Sequence, residues 1–391
     1  MAIKVTPQID IDKYFESEAL SQSVLKSLLG GYDKFLSNLK EESELYYEEK
    51  GHFLIGSAVD CILTGHEEEF AKQYYVSQIE KKPSDVEMSI IKMAFDDIVN
   101  NYDDNSWFDR PINQFPGAIK ASIEEHNWQP RWGEETRINK IMEVGSEYFE
   151  DLKLSFGKQI LTATQRILID EIVGSLRKNP RTSKYFDRSQ LALMTNIDVY
   201  YQLPIYFEYK GIQCKALLDL LIVIKDETGK VVALEPFDLK TMSGNTINFL
   251  SNLKSFRYDI QAAWYTEALT NENSSFVNNS GYDLSNVIVK PFTFIVESST
   301  VPGKPLLYKV SEQLLSIGKN GRTPVFINDL GELFNEQSSN ELYQPITVVR
   351  EIRGFDSLIE EYLYYQETEW KEEKVVAEND GVLKIGWDGI M

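Results

Sequence analysis

The sequence predicts an α/β protein in which a mixed central sheet is flanked by helices, with a helical N-terminal region. The main observation is a block rich in β-branched and aromatic residues between positions 191 and 239. Such runs, bounded by turn residues, are typical of strands. Helical patterns occupy the chain before and after this block. The predicted strands are Leu191–Glu208, Ile212–Ile224 and Val231–Leu239.

The N-terminal part of the chain is predicted to be helical. Over residues 10–40, Ser21 or Ser23 can cap a helix that carries apolar residues, and a second helix is predicted over Phe53–Leu63. Residues 66–135 are polar, aromatic and poorly periodic, which predicts an irregular, partly helical insertion.

Further helices and strands surround the strand block. Helices are predicted over Glu134–Phe156 and Thr162–Lys178, because Thr162 can open the second and Pro180 lies past its end. After the strands, the pattern predicts one long helix and two more strands. These are Ile247–Leu269, Pro291–Glu297 and Leu306–Val310.

Composition limits the class of protein. The chain has 391 residues and enough hydrophobic residues to bury a core. No apolar run reaches the ~18 residues that a membrane helix needs. The first residues lack the apolar block of a secretion signal, so we expect a cytoplasmic protein. The two cysteines, Cys61 and Cys214, cannot form a disulfide framework or a four-cysteine cluster, and we expect both to be buried.

The net charge of -21 argues against a protein that grips DNA, because phosphate binding needs basic surface. Net charge describes long-range steering, however, and not a single groove. The segment from Lys158 to Arg188 is locally basic. It is interpreted either as a solvated helix face or as a surface that faces DNA.

Two aspartates and a lysine are predicted to meet on one hairpin. If Asp226–Gly229 is the turn, Asp219 lies opposite Pro236, and Asp238 lies opposite Leu217. Since side chains alternate along a strand, Asp238 and Lys240 then share a face with Asp219. Diagonal neighbours ~7–8 Å apart can converge on one ion.

The flanks of these acids are apolar, which makes their burial costly unless a cation accompanies them. Carboxylate oxygens with room for water and phosphate suit Mg²⁺, and Mn²⁺ accepts the same ligands. The alternative is a buried salt bridge between an aspartate and Lys240. The sequence contains no Walker loop, no zinc pattern among its three histidines and no nucleophile elbow.

At these residues the sequence resembles a known superfamily. Phe237–Thr241, preceded by the strand with Asp219, is similar to the signature of PD-(D/E)XK nucleases. Gln261–Tyr265 resembles the Q-x-x-x-Y motif of RecB-type nucleases. The most similar group is the phage and prophage exonucleases of the RecE (exonuclease VIII) type, whose N-terminal pattern resembles Ala19–Leu25 and Phe53–Asp60. The resemblance covers roughly residues 15–65 and 140–300.

The resemblance implies roles for particular residues. The expected catalytic residues are Asp219, Asp238, Lys240, Gln261 and Tyr265. The expected metal ligands are Asp60, Asp219, Asp238 and the backbone carbonyl of Leu239. Asp60 stands where the family has a histidine, so it is either a substituted ligand or an ordinary polar residue. In the family, the Gln and Tyr of this motif contact nucleic acid or brace the catalytic strand. The alternative is that Tyr265 belongs to the core and Gln261 caps the end of a strand.

The resemblance also implies a fold and an activity. The fold is restriction-endonuclease-like, with a helical N-terminal part (1–65), an insertion (66–135), the nuclease core (136–300) and an α/β extension (301–391). The activity is Mg²⁺-dependent exonucleolytic hydrolysis of duplex DNA, 5′ to 3′, in phage-type recombination. Expected partners are DNA, a single-strand annealing protein and further copies of the chain, in the cytoplasm of a bacterial host. An endonuclease and a catalytically inactive DNA-binding or structural phage protein are the alternatives.

Overall fold

The computed structural model describes residues 11–41, 51–65, 67–79, 82–101, 106–191, 193–323, 325–327, 333–334, 346–349 and 351–368. Its helices are α1 (Ile11–Glu16), α2 (Gln22–Ser27), α3 (Tyr32–Glu41), α4 (Gly51–Asp60), α5 (Glu67–Gln73), α6 (Asp85–Asn101), α7 (Pro116–Glu125), α8 (Glu134–Leu154), α9 (Ala163–Lys178), α10 (Ser183–Phe186), α11 (Arg188–Leu191), α12 (Phe249–Ser255), α13 (Tyr258–Thr270), α14 (Ser275–Asn279), α15 (Glu312–Asn320) and α16 (Phe355–Glu367).

The strands form three sheets in the described parts of the chain. They are β1 (Leu20–Ser21), β2 (Tyr74–Ser77), β3 (Gln159–Thr162), β4 (Ile197–Tyr209), β5 (Ile212–Lys225), β6 (Val231–Met242), β7 (Ile288–Val289), β8 (Thr293–Ser298), β9 (Leu306–Lys309), β10 (Val325–Ile327), β11 (Leu333–Phe334) and β12 (Ile346–Val349). β2 pairs with β3, and β10 lies between β11 and β12. The remaining seven strands make the central sheet.

The chain divides into two compact units. One contains residues 1–56 and 172–391, and the other contains residues 57–171. The central sheet lies in the first unit. Compactness alone does not define evolutionary domains, so the division predicted from the sequence stays a prediction.

The α/β class and the mixed central sheet flanked by helices are confirmed. Strands run in the order β1-β5-β6-β8-β9, with β4 beside β5 and β7 beside β6. β6 pairs with β8 in parallel, whereas β4, β5 and β6 form antiparallel neighbours. Their side chains and those of α13 form one core, because β-branched and aromatic runs suit a sheet that is covered by helices.

One edge of β5 pairs with two different strands, β6 along one part and β1 along another, so a gap opens between them. β4 follows β5 along its whole length, from Ile197↔Ile224 to Tyr209↔Ile212. A strand has only two edges, so β6 and β1 both pair with the other edge of β5. β6 pairs with β5 as far as Leu220, and β1 pairs with it at Cys214 and Lys215. Asp219 therefore lies in the interval where β6 has left β5 and β1 has not yet joined it.

The predicted register of the β5–β6 hairpin was wrong by two residues. The turn closes around Asp226, whose side chain accepts the N–H groups of Thr228 and Lys230, with Gly229 at a φ of 84°. The first pair is Lys225↔Val231, so the loop is one residue longer than predicted. A β-bulge then adds a second residue, Val232. Together the two changes shift the register by two residues, so each side chain stays on the face of the sheet that was predicted. Continued from the pair Leu220↔Phe237, this register puts Asp219 opposite Asp238 instead of Pro236.

The prediction of one helix over Ile247–Leu269 was also wrong. A short 3-10 turn leads into α12, which ends at Ser255, and α13 begins at Tyr258. Between them Arg257 adopts a left-handed φ of 51°, which a continuous helix does not allow. The side chain of Arg257 is held by Asp259 and by the backbone carbonyl of Arg353. Tertiary contacts therefore set the break.

The N-terminal segment differs in part from the helix expected over residues 10–40. Between α1 and α2, the short strand β1 joins the central sheet. Ser21 caps α2, since its Oγ accepts the backbone N–H of Val24 at 3.3 Å. Ser21 is thus the cap of the two serines considered.

The second unit has a helical core of its own. α6, α7 and α8 pack around it, and it includes Ile91, Trp107, Ile119 and Phe149. Residues 102–105 of the predicted insertion lie outside the described residues. Over the parts of the chain that the structure describes, no helix is long and apolar enough to cross a bilayer. Cys61 and Cys214 are both buried, as predicted.

Candidate metal centre

Asp219, Asp238 and Lys240 come together at the split between β5 and β6. Asp238 and Lys240 are two residues apart on β6 and so share a face of the sheet. The Lys240 ammonium lies 2.6 Å from Oδ2 of Asp238. Asp219 enters from β5, and its Oδ2 accepts the backbone N–H of Leu239 at 2.8 Å. Beyond Leu220 the backbone pairing of β5 with β6 has ended, and the Asp219 carboxylate accepts the Leu239 N–H in place of a β5 backbone carbonyl.

Gln202 contacts Asp219 from β4, on the opposite edge of β5 from β6. It lies between the pairs Tyr201↔Leu220 and Leu203↔Leu218, so it faces Asp219 across β4 and β5. Its amide nitrogen is 3.4 Å from Oδ1 of Asp219, at the outer limit of a hydrogen bond. Gln202 also has a φ of 47°, a strained value within a strand.

Gln261 orients Asp238. α13 packs on the sheet, and the Gln261 amide donates to Oδ1 of Asp238 at 2.7 Å. The same nitrogen lies 3.4 Å from the hydroxyl of Tyr265, one helical turn later. The structure thus brings four predicted site residues, Asp219, Asp238, Lys240 and Gln261, into direct or shared contact, with Tyr265 behind Gln261.

Burial opposes the charges of the two carboxylates. Desolvation, together with the charge of Asp238, raises the pKa of Asp219 to about 7. Desolvation also raises the pKa of Asp238, although the nearby Lys240 ammonium counteracts it. A carboxylate pair with raised pKa values carries unfavourable negative charge at neutral pH.

Lys240 compensates only part of that charge. Burial by itself lowers the pKa of Lys240, but the fields of Asp238 and Asp219 outweigh it, so the net shift is upward. Lys240 is therefore an ammonium at neutral pH. Lys240 is ion-paired with Asp238, and Lys26 acts on Asp238 from farther away. A bound divalent cation would offset the remaining charge of Asp219.

The arrangement fits a divalent cation. Oδ2 of Asp238 is buried, and its contact with Lys240 is an ion pair, not a well-directed hydrogen bond. Its remaining lone-pair capacity is available to a metal. Within the described residues, no group of three or more histidine, cysteine, aspartate or glutamate side chains could hold an ion. Two carboxylates meet at this point, which suits a cation that keeps several water ligands.

The remaining predicted residues have these positions. Asp60 is the last residue of α4 and belongs to the second unit, so its role as a ligand stays a prediction. Leu239 lies between Asp238 and Lys240 on β6, and its carbonyl remains a predicted ligand. Thr241 approaches α4 closely, because a side chain at Gly56 would come within 2.9 Å of its hydroxyl.

Lys26 was not among the predicted site residues. Its ammonium donates to the backbone carbonyl of Phe256 at 3.2 Å and lies 5.8 Å from the centre of the Tyr258 ring. Lys240 lies 4.9 Å from the same ring. Burial, followed by repulsion from Lys240, lowers the pKa of Lys26 to about 8. No sequence signal places Lys26 here, because its approach depends on β1 joining the sheet beside Cys214.

Comparison with known proteins adds little to this geometry. Neither a family model nor a curated protein sequence matches the chain. Among solved structures, the chain is similar to the crystal structure of a candidate exonuclease from Eubacterium rectale. The two share 15% identity over 81% of this chain and 80% of the other, with a TM-score of 0.34. The neighbour's name agrees with the nuclease expectation, but a TM-score this low carries no argument, so the function is inferred from the site itself.

Proposed function

We propose that this protein is a divalent-metal-dependent deoxyribonuclease of the PD-(D/E)XK type. The observation that carries the proposal is the meeting of two carboxylates and one ammonium at the split of a mixed sheet. Asp219 and Asp238 lie on neighbouring strands, and Lys240 is paired with Asp238. This combination can hold a cation and stabilise negative charge on a phosphate at one place.

Each residue has a distinct part in the proposed reaction. Asp219, Asp238 and the carbonyl of Leu239 would hold Mg²⁺ or Mn²⁺. The bound cation would polarise the phosphate and lower the pKa of a water molecule. Lys240, as an ammonium, offsets the charge that grows on the phosphate oxygens and orients the attacking water. Gln261 keeps Asp238 in one orientation, and Tyr265 lies behind Gln261.

The chain's acidity does not exclude a DNA substrate. The net charge of -21 is a property of the whole chain. Lys26 interacts electrostatically with the cations Lys240 and Arg257 and with the carboxylates of Asp238 and Asp259. The local charge is therefore mixed, and a bound divalent cation would make it more positive.

The finer features of the proposal come from the resemblance to RecE-type enzymes. They are attack on duplex ends, 5′ to 3′ direction, a role in phage-type recombination, a single-strand annealing protein as partner, homo-oligomers and a cytoplasmic location. An endonuclease and an inactive DNA-binding protein are the competing functions.

The direct test is digestion of linear and covalently closed circular duplex DNA at increasing Mg²⁺ concentrations. The proposal predicts metal-dependent loss of the linear duplex alone, with release from the 5′ end when the ends carry different labels. The variant Asp238→Asn should be inactive and should remain folded, because it keeps the shape of the side chain. Asp226→Asn, in the exposed turn of the same hairpin, is the control and should stay active.

Each other outcome selects an alternative. Nicking of the circle would identify an endonuclease. Binding without any loss of DNA would identify an inactive DNA-binding protein. Full activity in Asp238→Asn would show that the metal centre is assigned to the wrong residues.

A further inference from the structure

An exposed aromatic stack lies next to the candidate metal centre. The rings of Phe249, Tyr258 and Phe256 follow one another from the core to the surface. Phe249 and Tyr258 stack at 5.7 Å and 18°, and Tyr258 and Phe256 stack at 5.6 Å and 29°. Phe249 is buried, whereas 53% of Phe256 is exposed. The stack therefore ends in a ring with an open side.

Two lysines approach the middle ring of this stack. The Lys240 and Lys26 ammonium groups lie 4.9 Å and 5.8 Å from the centre of Tyr258. Lys26 is fixed by its hydrogen bond to the carbonyl of Phe256, the residue that carries the open ring. The Lys26 ammonium is thus hydrogen-bonded to the backbone of Phe256, whose ring is exposed. The ring of Tyr258 lies between these two residues and Lys240 of the metal centre.

The backbone makes this arrangement rigid. Phe256 terminates α12, where its N–H donates to the carbonyl of Asn252 at 2.9 Å. The next residue, Arg257, has a left-handed φ of 51° and is clamped by Asp259. A large apolar ring that is exposed on a rigid corner loses little conformational entropy when it binds a flat partner.

We propose that Phe256 and Lys26 form a single-strand subsite beside the metal centre, in which Phe256 stacks on a nucleobase and Lys26 contacts the neighbouring phosphate. Base stacking on an aromatic ring and phosphate neutralisation by a lysine are the two interactions that hold single-stranded DNA without reading its sequence. The subsite would keep the strand in place next to the scissile phosphate. This inference rests on the proposed nuclease function, because it assumes a DNA strand at the centre.

The test measures the binding of a fluorescently labelled octamer of deoxythymidine, in EDTA and separately in Ca²⁺, so that no cleavage is needed. Phe256→Ala should weaken binding about tenfold, the order expected for loss of one base stack. Phe256→Trp should keep the wild-type affinity because it keeps the stack. The matched control is Phe156→Ala in the second unit, which changes a ring of nearly equal exposure, 54% against 53%, and should bind like the wild type.

Lys26 is tested by the salt dependence of the same binding. Lys26→Met keeps the unbranched stem, removes the charge and should reduce the slope of log affinity against log salt by about 0.7. Phe256→Ala should leave that slope unchanged. Lys230→Ala is the matched control, since Lys230 is exposed and precedes β6 roughly 25 Å along the strand from Asp238.

An abasic scan identifies the stacked base. One abasic position in the octamer should weaken wild-type binding about tenfold and should cause no further loss in Phe256→Ala. Equal binding by Phe256→Ala and Phe156→Ala, an abasic scan without effect, or no wild-type binding in either buffer would overturn the subsite.

The outcomes separate this inference from the proposed function. A protein that cuts DNA while Phe256→Ala binds like the control keeps its function and loses the subsite. A protein that cuts nothing while Phe256→Ala binds more weakly loses the function and keeps the subsite.

Discussion

Asp238 is the most constrained residue of the candidate centre. Its two oxygens have different partners, since Oδ1 accepts the Gln261 amide and Oδ2 faces the Lys240 ammonium. It is 2% exposed, so neither partner can be replaced by bulk water. Mutation of a residue that orients a metal ligand from outside typically costs about 10- to 100-fold in metal affinity or activity. Gln261 is therefore predicted to act through Asp238.

Removal of the Gln261 amide tests this role. Gln261→Ala should reduce metal affinity and cleavage rate by about 10- to 100-fold, because Asp238 loses its fixed orientation. Tyr265→Phe should have a much smaller effect, since its hydroxyl is 3.4 Å from the Gln261 nitrogen. Metal titration and initial rates of both variants provide the comparison. Wild-type values for Gln261→Ala would contradict the assignment.

Asp219 predicts a pH dependence of stability in the metal-free protein. Its pKa rises from 3.8 to about 7 on folding, because of burial and the charge of Asp238. Between these values the native state holds a proton that the unfolded state has released. The protonated Asp219 side chain thus contributes fully to the free energy of unfolding below pH 3.8, and this contribution is lost as the pH rises through about 7.

The variant Asp219→Asn isolates this effect. It should be more stable than the wild type at pH 8 without metal, by on the order of 4 kcal/mol, and this advantage should shrink as the pH falls towards 4. Mg²⁺ should stabilise the wild type and leave the variant unchanged. Thermal unfolding across this pH range measures both. An advantage that does not change with pH would contradict the prediction.

At the scale of elements, the position of α13 determines where Gln261 lies. α15 crosses the start of α13 at Gly318, where an added Cβ would lie 2.1 Å from the backbone oxygen of Asp259. Asp259 is also the residue that binds Arg257 at the break before α13. The close approach of the two helices therefore holds the first turn of α13, which carries Gln261.

Gly318→Ala should displace α15 from α13. It should lower stability by about 1–3 kcal/mol, the usual cost of overpacking, and should also reduce cleavage, since Gln261 moves with α13. Gly174→Ala is the control, because Gly174 lies in α9 with no atom within 4 Å of an added Cβ. That change should be neutral or slightly stabilising through helix propensity. Chemical denaturation and initial rates measure the two effects, and equal behaviour of the two variants would contradict the prediction.

Local sequence predicted the helices and strands better than the register and breaks between them. The runs of β-branched and aromatic residues and the Asp226–Gly229 turn located β5 and β6. The bulge at Val232 has no local signal, and it shifted the register that places Asp219 opposite Asp238. The break at Arg257 contains neither glycine nor proline, so its left-handed conformation depends on Asp259 and Arg353.

At the scale of the whole molecule, the site depends on a contact distant in sequence. β1 reaches the edge of β5 at Cys214, and α2 then brings Lys26 to the ring of Tyr258. Local periodicity cannot show a pairing between Leu20 and Cys214, which is why Lys26 was missed. Net charge was equally uninformative, because -21 averages over a chain whose central site contains both signs.

A Mn²⁺ titration followed by electron paramagnetic resonance measures whether Asp219 and Asp238 bind a divalent cation. The wild-type protein and Asp226→Asn should each show one tight site. Asp219→Asn and Asp238→Asn should lose that site, with folding unchanged by circular dichroism. Wild-type Mn²⁺ binding in both site variants would show that the two carboxylates do not form a metal centre.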